Sequence, residues 1–281
     1  MNNRRRFLNV RDLMPTSATD PSTASPEFTG ERPGHGQNFD YDEARHLAAY
    51  NYARTLAPGK RVLDAGCGEG YNTQALSDAA EQVTGVDYSK DAIEFCRRTW
   101  THPNLRFEHI DLTRPEGFDD TFDLVLNFQV LEHIEDDRSF LRALQSRLAP
   151  GGALLLTTPN RLMSFSENPY HIREYTADEL RALLDGVFGS VTMRGVRGND
   201  KVTRFDQARQ RSVRRILRLD PLGVRNLLPQ SLINFAFARL ANIVRSQAKS
   251  AAGDDRIEPD DFFVTEENLD SCLDLVALCS A

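Results

Sequence analysis

VLDAGCGEG, residues 62–70, is the stretch from which the fold can be read. Val62 to Ala65 have the apolar character of a buried strand, which delivers the chain into Gly66-x-Gly68-x-Gly70. Glycines at these positions let a ligand approach the backbone closely, and the start of the following helix offers it further N–H groups. The spacing is one residue shorter than the G-x-G-x-x-G fingerprint of pyrophosphate sites. An acid, Asp64, stands inside the motif, where it opposes a polyphosphate and suits an amine.

Outward from that loop, strand-like and helix-like segments alternate. Strands are predicted at 61–66, 82–87, 105–111, 122–129, 153–160, 190–198 and 273–280. Helices are predicted at 40–56, 73–80, 90–100, 137–152 and 176–188, the last opened by the capping pair Thr176 and Glu179. That rhythm predicts an α/β fold with a doubly wound, Rossmann-like parallel sheet. Two stretches break it. Residues 1–28 are rich in Ser, Thr and Pro and read as a disordered tail, whereas 200–258 reads as a basic helical insertion. The core is then 29–199, completed by a last strand within 259–281.

The 281 residues carry 34 Lys+Arg against 41 Asp+Glu, a formal charge of -7, which opposes non-specific nucleic-acid binding. The balance is uneven: Lys201 to Ala252 hold 11 basic and 2 acidic residues, a local charge of +9. Apolar faces in 203–219 and 231–246 accompany the arginines. They suit a cap on the domain, a surface for an anionic or lipid-linked acceptor, or peripheral membrane contact through 203–246. No stretch has the length of a membrane span or the apolar core of a signal peptide, so the expected location is cytoplasmic, at most peripheral to the inner membrane face. Cys67, Cys96, Cys272 and Cys279 lack metal-ligand spacing, and no metal is expected.

Two further acids give the glycine loop its meaning. Asp87 closes the next strand, where a carboxylate can hold both ribose hydroxyls, and Asp111 closes the one after, within reach of an adenine amino group. An adenosine with a cationic amino-acid tail matches these acids, and S-adenosylmethionine is such a molecule. With VLDAGCGEG, VTGVDYS, FDLVLNFQVLEHI and LAPGGALLLTTPN in this order, the chain resembles the class I S-adenosylmethionine-dependent methyltransferases of the UbiG-like, type 11 group. A bacterial subgroup associated with glycans or secondary metabolites is resembled more loosely.

The resemblance implies a seven-stranded sheet whose last strand, within Leu273–Ser280, is antiparallel, with the insertion between the last two strands. It implies Gly66, Cys67 and Gly68 around the methionine moiety, Gly70 in the same cofactor-binding loop and Asp87 at the ribose. Tyr88, Asp111 and Leu112 would flank the adenine, with Asn127 and Gln129 beneath the sulfonium. The expected reaction is in-line methyl transfer to a small-molecule or glycan acceptor, at a hydroxyl oxygen, leaving S-adenosylhomocysteine. An amino sugar or other amine as acceptor, a non-catalytic adenosylmethionine-binding partner and a nicotinamide dehydrogenase are the alternatives. The shortened glycine spacing opposes the last.

An oxygen acceptor needs a base. His171, in the NPYHIREY loop after the fifth strand, is the first candidate and His133, in LEHI, the second. Structural roles compete in both cases. His46 and His35 belong to a possible lid, while Tyr170, Tyr175, Asn160 and Arg173 are candidates to shape the acceptor pocket.

Overall fold

The computed structural model describes residues 40–114, 118–164, 170–217 and 257–281. The predicted tail (1–28) and the greater part of the insertion (218–256) lie outside the described residues. So does His35. The elements run α1 (Asp40–Leu56), β1 (Arg61–Ala65), α2 (Tyr71–Leu76), β2 (Gln82–Asp87), α3 (Lys90–Thr99), β3 (Leu105–His109) and β4 (Phe122–Phe128). They continue through α4 (Asp137–Gln145), β5 (Leu148–Pro159), α5 (Ala177–Asp185), β6 (Ser190–Gly198), α6 (Asp200–Leu217), β7 (Phe262–Thr265) and β8 (Asp274–Ser280).

The strands form one sheet in the order β3-β2-β1-β4-β5-β8-β6-β7. Strands β1 to β5 pair in parallel; β8 is antiparallel to both β5 and β6. Parallel strands need helical crossovers, and these cover both faces, so the central strands are buried on each side. Because successive side chains alternate, Val62, Leu124, Leu126 and Leu155 pack toward α1, while Leu63, Val125, Leu154 and Leu156 pack toward α4 and α5. A smaller cluster of Ile93, Cys96, Trp100 and Phe107 seats α3 beside the glycine loop. Strand order reverses at β1, between β2 and β4. Open α/β sheets offer a ligand crevice at the carboxyl ends of strands at such a point.

Three elements depart from the sequence reading. The sheet has eight strands, because Phe262–Thr265 adds an antiparallel edge to β6. Four residues flanked by acids give too short a period to be read. Strand β5 begins at Leu148, not Ala153, and α4 ends at Gln145. There the ladder slips between Phe122 and Leu124, so Pro150-Gly151-Gly152 forms an irregularity in a strand and not a helix stop.

The first turns of the basic block dock on α1. Val202, Phe205 and Ala208 are buried, and Phe205 stacks on Tyr41 with ring centroids 4.8 Å apart. The Tyr41 hydroxyl donates to Asp206, 2.7 Å from Oδ1. Through these turns the start of the block packs an apolar face on the domain.

Leu155 is fully buried in the central strand β5. Leu155→Ala should lower the free energy of urea unfolding by about 2–5 kcal/mol through lost burial and the cavity left behind.

Candidate cofactor and acceptor site

A cavity of about 440 Å³ opens at the carboxyl ends of β1, β2 and β4. That falls in the roughly 300–1,000 Å³ range of small-molecule sites. Its floor is the loop after β1, whose shape depends on glycine. Gly66 has φ 93° and Gly70 φ 74°, in the left-handed region. A β-carbon on Gly66 would lie 2.4 Å from Val130 Cγ2, and one on Gly70 2.9 Å from the Phe107 ring. Gly68, φ 54°, would meet nothing within 4 Å, so its open side is available to a ligand.

Asp87 holds this loop. Its Oδ2 accepts from the Gly68 amide at 2.9 Å and its Oδ1 from the Ser89 amide at 2.8 Å. A carboxylate has about four acceptor positions, so two backbone bonds leave capacity for two ligand hydroxyls. Ser89 also caps α3 through the Ala92 amide. The loop, the end of β2 and the start of α3 thus share one carboxylate.

Of the residues expected from sequence, Gly66, Cys67, Gly68, Gly70, Asp87, Tyr88, Asp111, Leu112, Gln129 and His133 line the cavity. Tyr88 is 70 % exposed, presenting a ring at the rim. Asp111 accepts from the Thr113 amide and hydroxyl at 2.9 and 2.6 Å, and these bonds, chiefly the hydroxyl, lower its pKa. Gln129, at φ 57°, is anchored by its amide on the Thr157 carbonyl at 3.0 Å.

Asp64, Asn127 and His171 are not among the lining residues. Asp64 points to the α1 side of β1, where it accepts from Thr73 Oγ1 at 2.6 Å and from the Tyr50 hydroxyl at 3.0 Å. Tyr50 lines the cavity, so Asp64 bears on it through that hydroxyl. Asn127 is buried and donates to the Ala65 carbonyl at 2.8 Å, tying β4 to the end of β1. His171 lies one ring behind His133, with centroids 5.1 Å apart, and its Nδ1 is 2.6 Å from Glu174 Oε1.

Residues of α1 form the opposite wall. Glu43, His46 and Tyr50 follow the i, i+3, i+7 spacing of one helical face and all meet the cavity. Burial, reinforced by the Arg45 charge, lowers the His46 pKa to about 4, so its ring is neutral near pH 7. Arg45 reaches the buried Asp274 of β8 at 3.2 Å and pins this helix to the sheet. Phe128, Val130, Ile134 and Phe140 supply apolar surface near His133. Asn160, Tyr175 and Arg173 do not line the cavity. Asn160 bonds the Cys272 carbonyl at 2.8 Å, while Tyr175 and Arg173 both bond Asp137, at 3.0 and 2.8 Å.

A Rossmann-like sheet with a glycine loop and a carboxylate at its switch point is the architecture of the class I methyltransferase fold. Residues 39–187 match the family model described as a methyltransferase domain. A relative from Mycolicibacterium smegmatis, named "Probable S-adenosylmethionine-dependent methyltransferase", is 37 % identical over 59 % of this chain and 67 % of its own length. A ubiquinone biosynthesis O-methyltransferase of Xanthomonas campestris is 34 % identical over 40 % of this chain and 48 % of its own length. Among solved structures, a SAM-dependent methyltransferase from Archaeoglobus fulgidus shares the fold with TM-score 0.51 and 17 % identity, covering 84 % of this chain and 94 % of the other. The chain belongs to the methyltransferase-domain family and is an S-adenosylmethionine-dependent methyltransferase.

The cavity fits that donor. Gly68 leaves its side of the backbone open, Asp87 retains acceptor capacity for ribose hydroxyls, and Tyr88, Asp111 and Leu112 form the end suited to a base. Asp87→Ala should weaken S-adenosylhomocysteine binding at least tenfold by calorimetry, since it removes the loop anchor together with the acceptor expected to take the ribose hydroxyls. Unchanged affinity would contradict the assignment.

Asp64 generates a second prediction. Burial raises its pKa from 3.8 to about 6, despite the bonds from Thr73 and Tyr50. Below 3.8 both folded and unfolded chains hold the proton; above it the unfolded chain releases first, so this group's contribution to stability falls until about pH 6. Asp64→Asn should therefore gain stability relative to the parent as pH rises from 4 to 6 and hold that gain above. Melting curves that stay parallel across this window would contradict it.

Proposed function

We propose that this enzyme methylates a hydroxyl oxygen of a small molecule or saccharide, with His133 receiving the proton. The carrying observation is the placement of that imidazole. His133 lines the cavity beside Gln129 and Val130, and its Nδ1 is 2.9 Å from the Tyr170 carbonyl. A carbonyl only accepts, so the neutral ring holds its proton on Nδ1 and its lone pair on Nε2. His171 then supports His133 from behind.

When bound, S-adenosylmethionine supplies a methyl group on a cationic leaving group. The chain's residues supply position and exclusion of water. Asp87 and the glycine loop fix the nucleoside end; Phe128, Val130, Ile134 and Phe140 form an apolar enclosure near His133; α1 closes the other side. Holding two reactants in attack geometry is worth up to about 7–11 kcal/mol. The Xanthomonas relative, named as an O-methyltransferase, supports oxygen as the target. The +9 charge of residues 201–252 supports an anionic acceptor, a sugar nucleotide or a lipid-linked saccharide, with peripheral membrane contact in the latter case. Among the described residues no helix is long and apolar enough to cross a membrane.

Methyl-labelled S-adenosylmethionine incubated with bacterial extract fractions should yield label that resists mild acid and is lost in His133→Ala. That variant should bind S-adenosylhomocysteine as the parent does. Label confined to amines, or full transfer by the variant, would overturn the reading. Partition of the label between lipid and aqueous phases identifies the acceptor class.

A further inference from the structure

Beside the cavity, the fold assembles a group that is dispersed in the sequence. Glu132 and His133 lie in the turn after β4, and His171 lies in the segment after β5. One ligating atom from each residue falls within 4.8 Å of the others. The two segments are locked together by the Ile172 and Arg173 amides, which donate to the Glu132 carbonyl at 2.8 and 3.2 Å. The Glu132 side chain is buried, and its Oε2 accepts from the Thr158 hydroxyl at 3.0 Å.

Both imidazoles are oriented through Nδ1. His133 uses the Tyr170 carbonyl at 2.9 Å, and His171 uses the Glu174 carboxylate at 2.6 Å. A carbonyl or carboxylate on the far nitrogen is the outer-shell support that fixes ligating histidines and directs Nε2 to an ion. The ring centroids are 5.1 Å apart. Two imidazoles on one tetrahedral ion, with bonds of about 2.0–2.1 Å, place their centroids about 5.2 Å apart.

The geometry points to a binding site for a divalent transition-metal ion, zinc foremost, formed by Glu132, His133 and His171. Two imidazoles and one carboxylate suit zinc and its neighbours, whereas magnesium and calcium favour oxygen donors. The buried carboxylate supplies negative charge that a dication offsets where water cannot. Donors around a bound ion stand about 3.3–3.6 Å apart, so the side chains draw in by up to about 1.5 Å on binding. Three protein ligands leave a fourth position, and His133 sets the site against the cavity. Ion and proton compete for the same nitrogen of His133, so zinc slows base-assisted transfer. That consequence rests on the proposed reaction; the site itself does not.

The test is calorimetric titration of the chelator-treated, full-length protein with zinc chloride, with bound metal counted by elemental analysis. One zinc per chain at micromolar or tighter affinity is expected. His171→Ala and Glu132→Gln should each weaken it at least tenfold, while His171→Ala keeps its affinity for S-adenosylhomocysteine. Should His171→Ala fold poorly, His171→Gln, which retains bulk and a polar tip, is read in its place. No zinc bound by the parent, or equal affinity in parent and variants, as binding at the cysteines would give, overturns the proposal. Methyl transfer is not assayed, so failure here leaves the proposed reaction standing, and failure of that reaction leaves this site standing.

Discussion

The carboxylate of Asp87 is the constraint on which the rest of the site depends. It accepts from the Gly68 amide on one side and the Ser89 amide on the other. The glycine loop cannot move from β2, nor α3 from the loop, without breaking a charge-assisted bond. Gly66 and Gly70 make the loop's path sterically feasible, and Val130 and Phe107 occupy the space their missing side chains leave. The cavity is consequently shaped by backbone and anchored by one charge. Such a site is preformed and carries little side-chain entropy into binding.

Around that anchor the two ends differ in chemistry. Tyr88, Asp111 and Leu112 give an open, mixed polar rim, while Phe128, Val130, Ile134 and Phe140 enclose the end that holds His133. Helix α1 completes the enclosure and is held twice over. Arg45 pairs with the buried Asp274, and Tyr41 bonds Asp206 of α6. The start of the basic block therefore acts on the cavity through the helix that walls it. Residues 200–211 thus bear on a wall of the cavity without lining it.

The sheet's parallel half was legible because strand-length apolar runs and capped amphipathic helices alternate without interruption from Arg61 to Phe188. The glycine-loop end of the cavity was legible for a related reason: Gly66, Gly68 and Asp87 are local consequences of a strand ending in a tight turn. What could not be read comes from tertiary register. Asp64 turns toward Tyr50 because it shares the α1 side of β1 with Val62, and Asn127 turns inward to the Ala65 carbonyl. The α1 stripe of Glu43, His46 and Tyr50 was present at helical spacing, but nothing local says which face of α1 meets a ligand. Glu132, His133 and His171 meet only because β5 returns the chain past the end of β4, a closure that no spacing in the sequence encodes.

A crystal structure of the full-length protein with S-adenosylhomocysteine tests the central claim most directly. The account predicts the ribose hydroxyls on Asp87, the base between Tyr88 and Leu112, and the sulfur facing the end of the cavity lined by His133. A nucleoside bound elsewhere on the sheet, or an Asp87 carboxylate turned away from the ribose, would contradict it.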